Sequence, residues 1–322
     1  MKTNLGTAFR SFFPLTLLAV LFAHSMLAGV VTTCDDAGLR DAIAAGGLVT
    51  FACDGTITLT NTIYITSDTA IDGTGHNVII DGGGACQVFN VEGVQFDVTN
   101  ITIADGKVTN AGPNGVGAGV YNSGTMVAVG CTFSNNIAAD PGYAEFGGAI
   151  FNGNTASLVA VGCTFVSNSV QTGLGGAIAS GYIGAGGPIS LTNCTFYGNN
   201  NCAVDSEATA EGNGPIAIVN CTFVGNSGGA LSAGYPQAPA TAPVTVINSL
   251  LQDNSSSNCI GPVIDGGYNL CSDGTLTLLS PYKSGRCERD DRAFGGKWRS
   301  HRNHSTAGRQ PGHRRCKRSG RP

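Results

Sequence analysis

The 322 residues include 48 glycines and only 12% charged side chains, with a formal net charge of −4 at pH 7. Such a chain is poor in helix-forming material and rich in turns, which argues against a helical fold. The net charge averages two unlike regions: from Gly29 to Pro281 only Arg40 and Lys107 are basic against eighteen carboxylates, whereas from Tyr282 onward thirteen Lys/Arg face three acids.

The first 28 residues hold Lys2 and Arg10, a mostly apolar run from Phe12 to Ala23, and small residues at Ala23 and Ser25 in the pattern a signal peptidase reads. Residues 1–25 are therefore expected to be a signal peptide. A membrane anchor is the competing reading, but Pro14 interrupts the run and it is short for a span of about 20 residues. No transmembrane segment is expected in the mature chain. Twelve cysteines behind such a leader point to an oxidising destination, secreted or on the outer cell surface.

Residues 26–50 are expected to form an amino-terminal cap. Asp36 to Ala45 reads as a short amphipathic helix with an acidic start, placed to cover an otherwise open sheet edge. From Leu48 to Asp81 follow the β-prone runs ITL, IYI, AID and VII, punctuated by Asp-Gly turn signals at Asp54, Asp72 and Asp81.

Further along, the chain repeats itself. GCTFSNN, GCTFVSN, NCTFYGN and NCTFVGN begin at Gly130, Gly162, Asn193 and Asn220, at spacings of 32, 31 and 27 residues, with weaker copies at Asn100 and Asn248. A second motif alternates with the first: GAGV from Gly117, GGAI from Gly147 and from Gly175, GGAL from Gly228, and Asn201 to Val204 in the remaining slot.

Aligned as columns, the copies predict geometry. The first column, Asn100, Gly130, Gly162, Asn193, Asn220 and Asn248, holds residues that accept a left-handed backbone cheaply and so marks a bend. Alternation beyond it turns Cys131, Cys163, Cys194 and Cys221 inward, their threonine neighbours outward, and Phe133, Phe165, Phe196 and Phe223 inward. Asn136, Asn168, Asn199 and Asn226 stand three residues further on and close the next turn. A unit of two or three short strands cannot bury its apolar face alone, so units must stack about 4.8 Å apart and identical side chains must form ladders. The fold expected over residues 51–281 is an all-β, right-handed parallel β-helix, or solenoid, with the short capping helix at its amino terminus. A β-sandwich with accidental similarity is the competing architecture.

The alternation of GGA[ILV] with F-x-x-N behind a leader resembles the repeats of chlamydial polymorphic outer membrane proteins, and the wider bacterial set of pectin-lyase-like β-helix proteins. The resemblance covers about Gly117 to Asn254 by motif. It implies a β-helix displayed outside the cell and, in the polymorphic proteins, an adhesive passenger. The chain departs from them in lacking a carboxy-terminal run of 9 to 11-residue alternating strands for a membrane barrel.

From Lys283 the composition turns abruptly basic, so residues 282–322 form a separate tail. One reading is a basic arm for nucleic acid or anionic lipid. The sharper one is a frameshift: permitted codons for Trp298 to Arg318, read one base later, can spell GGATETIALLAGSPAIDAAN, which looks like the closing segment of many bacterial β-helix proteins. No nucleic-acid partner is expected.

β-Helices often carry polysaccharide lyases and glycosidases, and Asp72, Asp81, Asp97 and Asp105 could supply a carboxylate pair. Asp72, Asp81 and Asp105 each precede glycine, however, which marks a turn. Cations for an acidic sugar are limited to Arg40, Lys107 and His76, and a body this acidic repels polyanions. Stacked repeat cysteines could reach disulfide distance, but packing alone explains one repeated side chain and they read as small buried hydrophobes; Cys34 with Cys53 and Cys259 with Cys271 are the better disulfide candidates. No catalytic residue, metal site or cofactor is singled out. The function expected is that of a non-catalytic binding protein, an adhesin for glycans or cell-surface molecules, using loops such as Ile137 to Phe146 and Ser232 to Pro243. A glycan-cleaving enzyme on the same scaffold is the alternative.

Overall fold

The computed structural model describes residues 28–109, 115–139, 145–181, 186–206, 214–234, 244–255 and 257–276. The leader expected over 1–25 and the tail 282–322, with its frameshift reading, lie outside them.

The described chain is a parallel β-helix with three long walls, a ten-stranded, a nine-stranded and an eight-stranded sheet, in which every pairing of neighbouring strands is parallel. Each coil runs from the ten-stranded wall through a short bend to the nine-stranded wall, then through a longer turn to the eight-stranded wall. In the coil of the first full repeat these strands are Thr125–Val129, Thr132–Ser134 and Ile150–Asn152. The bend column takes the left-handed backbone that its residues permit: φ is 53° at Asn100, 62° at Gly130, 65° at Gly162, 55° at Asn193, 57° at Asn220 and 49° at Asn248.

Register makes the columns into ladders. Thr132, Thr164, Thr195 and Thr222 are direct partners, as are the phenylalanines that follow them. Phe133, Phe165, Phe196 and Phe223 are fully buried and lie ring on ring, with centroids 4.8, 4.7 and 4.6 Å apart and planes within 4° of parallel. Burial of each contributes roughly 1.5–3 kcal/mol, and each ring contact about 0.5–1.5 kcal/mol more.

The asparagine column is as continuous. Asn136 Nδ2 donates to Asn168 Oδ1 (3.0 Å), Asn168 Nδ2 to Asn199 Oδ1 (3.0 Å), Asn199 Nδ2 to Asn226 Oδ1 (2.9 Å) and Asn226 Nδ2 to Asn254 Oδ1 (2.8 Å). Each of these oxygens also accepts the backbone N–H of the preceding asparagine, and Asn168 Nδ2 donates in addition to Phe133 O (2.9 Å). Unpaired, such buried amides would cost about 1–3 kcal/mol each. A shorter polar pair, Asn122 Nδ2 to Asn152 Oδ1 (2.8 Å), lies on the inner side of the eight-stranded wall.

The expected capping helix is present, ending at Ile43 rather than at Ala45, and a further strand precedes it. The helix Asp36–Ile43 starts at Asp35, whose carboxylate accepts the Gly38 N–H (2.8 Å), and buries Leu39, Ala42 and Ile43. Ahead of it Ala28–Val31 adds an outer strand to the ten-stranded wall by pairing with Gly47–Phe51. The Cys34–Cys53 disulfide ties helix to first coil. Among the described residues no helix is long and apolar enough to cross a membrane. Part of the stretch read as an exposed loop is structured: Ile137–Ala138 pairs with Lys107–Val108 and Ser169–Val170 in a three-stranded sheet at the turn between walls.

The last described coil is closed by Asp273, whose carboxylate accepts from Asn258 N (2.7 Å), Thr275 N (3.0 Å), Thr275 Oγ1 (2.7 Å) and the Cys271 thiol (3.1 Å). Partial burial raises its pKa, but these donors outweigh it and hold the group well below the usual carboxylate range.

Two outcomes are expected. Asn168→Ala strands donors of Asn136 inside the core and lowers the free energy of urea unfolding by about 2–4 kcal/mol, whereas Thr164→Ala, on the outer face of the same coil, changes it by about 0.5 kcal/mol or less. Because the Asp273 pKa is depressed on folding, its stabilisation is complete above about pH 4 and is lost as pH falls through the folded value. The stability gap between the natural chain and Asp273→Asn, measured by thermal unfolding, therefore narrows as the solution is acidified.

Candidate functional site

Along the eight-stranded wall one row of side chains faces outward. Its members in coil order are Tyr64, Asn90, Tyr121, Phe151, Ala179, Asp205, Ser232 and Ile260. The row is open at its amino-terminal end and covered in its middle. Tyr64 is 58% exposed, whereas Phe151 is buried. Tyr121 stacks on Phe151 at 5.7 Å between ring centroids, and Val116, Phe146 and Leu174 fold over Phe151 as a small second core. Those three covering residues bridge one another in parallel, so the turns that carry them stack in the same register as the walls. Glu145 pins them: its Oε2 accepts Thr172 N (2.7 Å) and Gly173 N (3.2 Å).

At the open end two adjoining hollows, of about 580 and 600 Å³, meet at Asn61, Thr62 and Tyr64. One is walled by the cap through Arg40 and Ile43; the other runs under Tyr64 past Gln87, Asn90, Lys107 and Tyr121. The lining mixes amide, hydroxyl and phenol groups with aliphatic side chains such as Ile43, Ile63 and Val108 and the charged Arg40, Glu92 and Lys107. Gln87 is fixed by donating to the Val116 and Gly117 carbonyls (3.0 and 2.8 Å), and Ser123 by donating to Val91 O (2.6 Å). Such a surface stacks a ring on a phenol face and offers donors and acceptors around it. Cys86 also lines the groove, but burial pushes its thiol pKa up, so it is protonated and poorly nucleophilic.

The carboxylates considered from sequence lie elsewhere. Asp72 and Asp81 each accept a backbone N–H two residues on, from Thr74 (2.8 Å) and Gly83 (2.7 Å), as turn aspartates do. Asp105 occupies a left-handed bend with φ 49°. Asp97 is buried on the ten-stranded wall, where it accepts from Gln95 Nε2 (3.1 Å). None of the four lines either hollow, where Glu92 is the one carboxylate among the described residues. Arg40 pairs with Asp36 (2.7 Å) and donates to the Asn61 and Thr62 carbonyls, so it fastens the cap to the first coil. His76 lies 3.6 Å from Asp54, at the bend between the other two walls. Lys107 alone of the three cations reaches the inner groove.

Of the two disulfide candidates, Cys34–Cys53 is formed and Cys259–Cys271 is not. Cys259 belongs to the eight-stranded wall and Cys271 to the nine-stranded one, and the Cys271 thiol donates to Asp273 instead. The repeat cysteines are buried as expected, but they do more than fill space. Each Sγ–H reaches the carbonyl two residues before it and one in the preceding coil, as Cys163 does with Val161 O (3.5 Å) and Ala128 O (3.4 Å). Ser249 continues the column and makes the equivalent bond to Ile247 O (2.8 Å). Most of the two loops proposed for binding, residues 140–144 and 235–243, lies outside the described residues.

A scan against protein-family models gives no match, and a search of curated proteins finds no relative.

The turn role of Asp81 has a direct check. Asp81→Asn keeps the acceptor for Gly83 N–H and leaves the urea midpoint unchanged, while Asp81→Ala removes it and destabilises by about 1 kcal/mol.

Proposed function

We propose that this protein is a non-catalytic binding protein acting outside the cell, and that it holds a glycan along the open end of the eight-stranded wall. The observation that carries the reading is Tyr64. A tyrosine more than half exposed, between two hollows and in line with Asn90 and Tyr121, presents an apolar face beside hydrogen-bonding groups. That combination suits a pyranose ring, whose faces are apolar and whose rim is hydroxyl. Successive coils repeat at about 4.8 Å, comparable with the length of one sugar unit, so a chain running along the axis meets a similar set of groups at each step. The nearly cation-free body favours a neutral glycan over an acidic one.

Export is supported by the leader pattern at 1–25 and by the Cys34–Cys53 bridge, a feature of oxidising compartments. The likeness of its GGA[ILV] and F-x-x-N motifs to the polymorphic outer membrane protein repeats supports an adhesive role.

The test is a panel of immobilised glycans, with and without calcium, probed with the full chain and scored for retention and for cleavage. Retention on neutral glycans, weakened about tenfold by Tyr64→Ala with the unfolding midpoint unchanged, is the expected result. Release of shortened glycan from any polymer would overturn the non-catalytic reading, and retention indifferent to Tyr64 would overturn the site.

A further inference from the structure

The four repeat cysteines form an unbroken column. Cys131, Cys163, Cys194 and Cys221 each precede threonines that are direct register partners, and each is 1% exposed. In the structure all four are free thiols directed at backbone carbonyls, and the column is close enough that the Cys194 backbone N–H donates to the Cys221 sulfur of the next coil (3.4 Å). Register partners in adjacent parallel strands lie about 4.8 Å apart, inside the Cα separation of about 4.4–6.8 Å that a disulfide spans. The column stands just past the bend, in the two-residue connection between strands, with the residues on either side still paired to neighbouring coils. The same chain carries a disulfide at Cys34–Cys53, a feature of oxidising compartments, and the inference rests on the export proposed above.

We infer that the column is a set of inter-coil cross-links, Cys131 with Cys163 and Cys194 with Cys221. Four thiols in a row can all pair with a neighbour in this arrangement alone, since a Cys163–Cys194 bond would strand the two ends. The oxidant is a protein or small-molecule disulfide acting by thiol–disulfide exchange. For each pair two S–H bonds break and one S–S bond forms, while two electrons and two protons pass to the oxidising disulfide, which is reduced to two thiols. Exchange takes place while the stack is being laid down. A solenoid grows coil upon coil, so each arriving cysteine meets its predecessor at an open end before the next coil buries both.

Peptide mapping of the full chain, alkylated in denaturant without reductant, tests the inference on a preparation in which the Cys34–Cys53 peptide pair is linked. Linked peptides carrying Cys131 with Cys163 and Cys194 with Cys221 are expected. The Cys163→Ser variant should leave Cys131 alkylated and Cys194–Cys221 intact. Full alkylation of all four column cysteines beside an intact Cys34–Cys53 bond would overturn the inference, as would release of Cys194 rather than Cys131 in Cys163→Ser. Reductant should lower the thermal midpoint of the natural chain more than that of a variant with all four column cysteines changed to serine; equal shifts would also count against the cross-links.

Discussion

Everything in this molecule depends on one coil sitting in register on the next. A single coil has three short strands, no partner for their outward-pointing N–H and C=O groups along the axis, and an inner face of phenylalanine and asparagine that it cannot bury. Stacking resolves these needs together. The backbone groups pair with the neighbouring coil, each ring gains the ring above and below it, and each buried amide finds its partner in the equivalent amide one coil away. The bend column is the local condition for this: if Gly162 or Asn193 did not take a positive φ, the ten- and nine-stranded walls of that coil would not meet at the same angle as their neighbours.

The same rigidity decides where ligand chemistry can be placed. In the repeat coils the ten- and nine-stranded walls are joined by two residues, such as Gly130 and Cys131, which leaves little room for elaboration there. The turns that lead into the eight-stranded wall are longer and vary between coils, and those carrying Val116, Phe146 and Leu174 cover its outer row in the middle while leaving it open beside the cap. Arg40 and the Cys34–Cys53 bridge hold that end, so the groove around Tyr64 is framed by the best-fastened part of the amino-terminal half. A site on a fixed lattice of strands needs little reordering on binding.

Much of this was legible in the sequence because a solenoid writes its contacts as columns. The bend residues, the phenylalanine and asparagine ladders, the inward cysteines and the capping helix all follow from aligning repeats. What escaped lies off the columns. Ala28–Val31 joins a wall only because Gly47–Phe51 stands beside it, and nothing within four residues predicts that. The Cys259–Cys271 pairing failed because nearness in sequence is misleading here: twelve residues carry the chain to a different wall, whereas 27 to 32 return it to the same one. The groove was missed for a related reason. Tyr64 sits in an early coil without the repeat motif, and its alignment with Asn90 and Tyr121 requires the register of three coils. A signal for the covered part did exist, in the aromatic residue that follows the GAGV and GGAI motifs at Tyr121 and Phe151.

The asparagine ladder also gives the stack a direction. From Asn136 to Asn226 each amide hands its N–H to the oxygen of the following coil, and its orientation is fixed because the same nitrogen also serves a carbonyl behind it, that of Ile103 for Asn136 and of a phenylalanine for the others. The series begins where Gly106 N–H meets Asn136 Oδ1 and ends where Asn254 Nδ2 meets Asn258 Oδ1, so the two ends of the wire are chemically unlike, acceptor at one and donor at the other. Hydrogen bonds aligned head to tail polarise one another. The solenoid is thus an oriented object down to its core: a coil inserted or appended in reverse would set oxygen against oxygen, and growth, repeat duplication or fusion with another solenoid can extend it in one sense only.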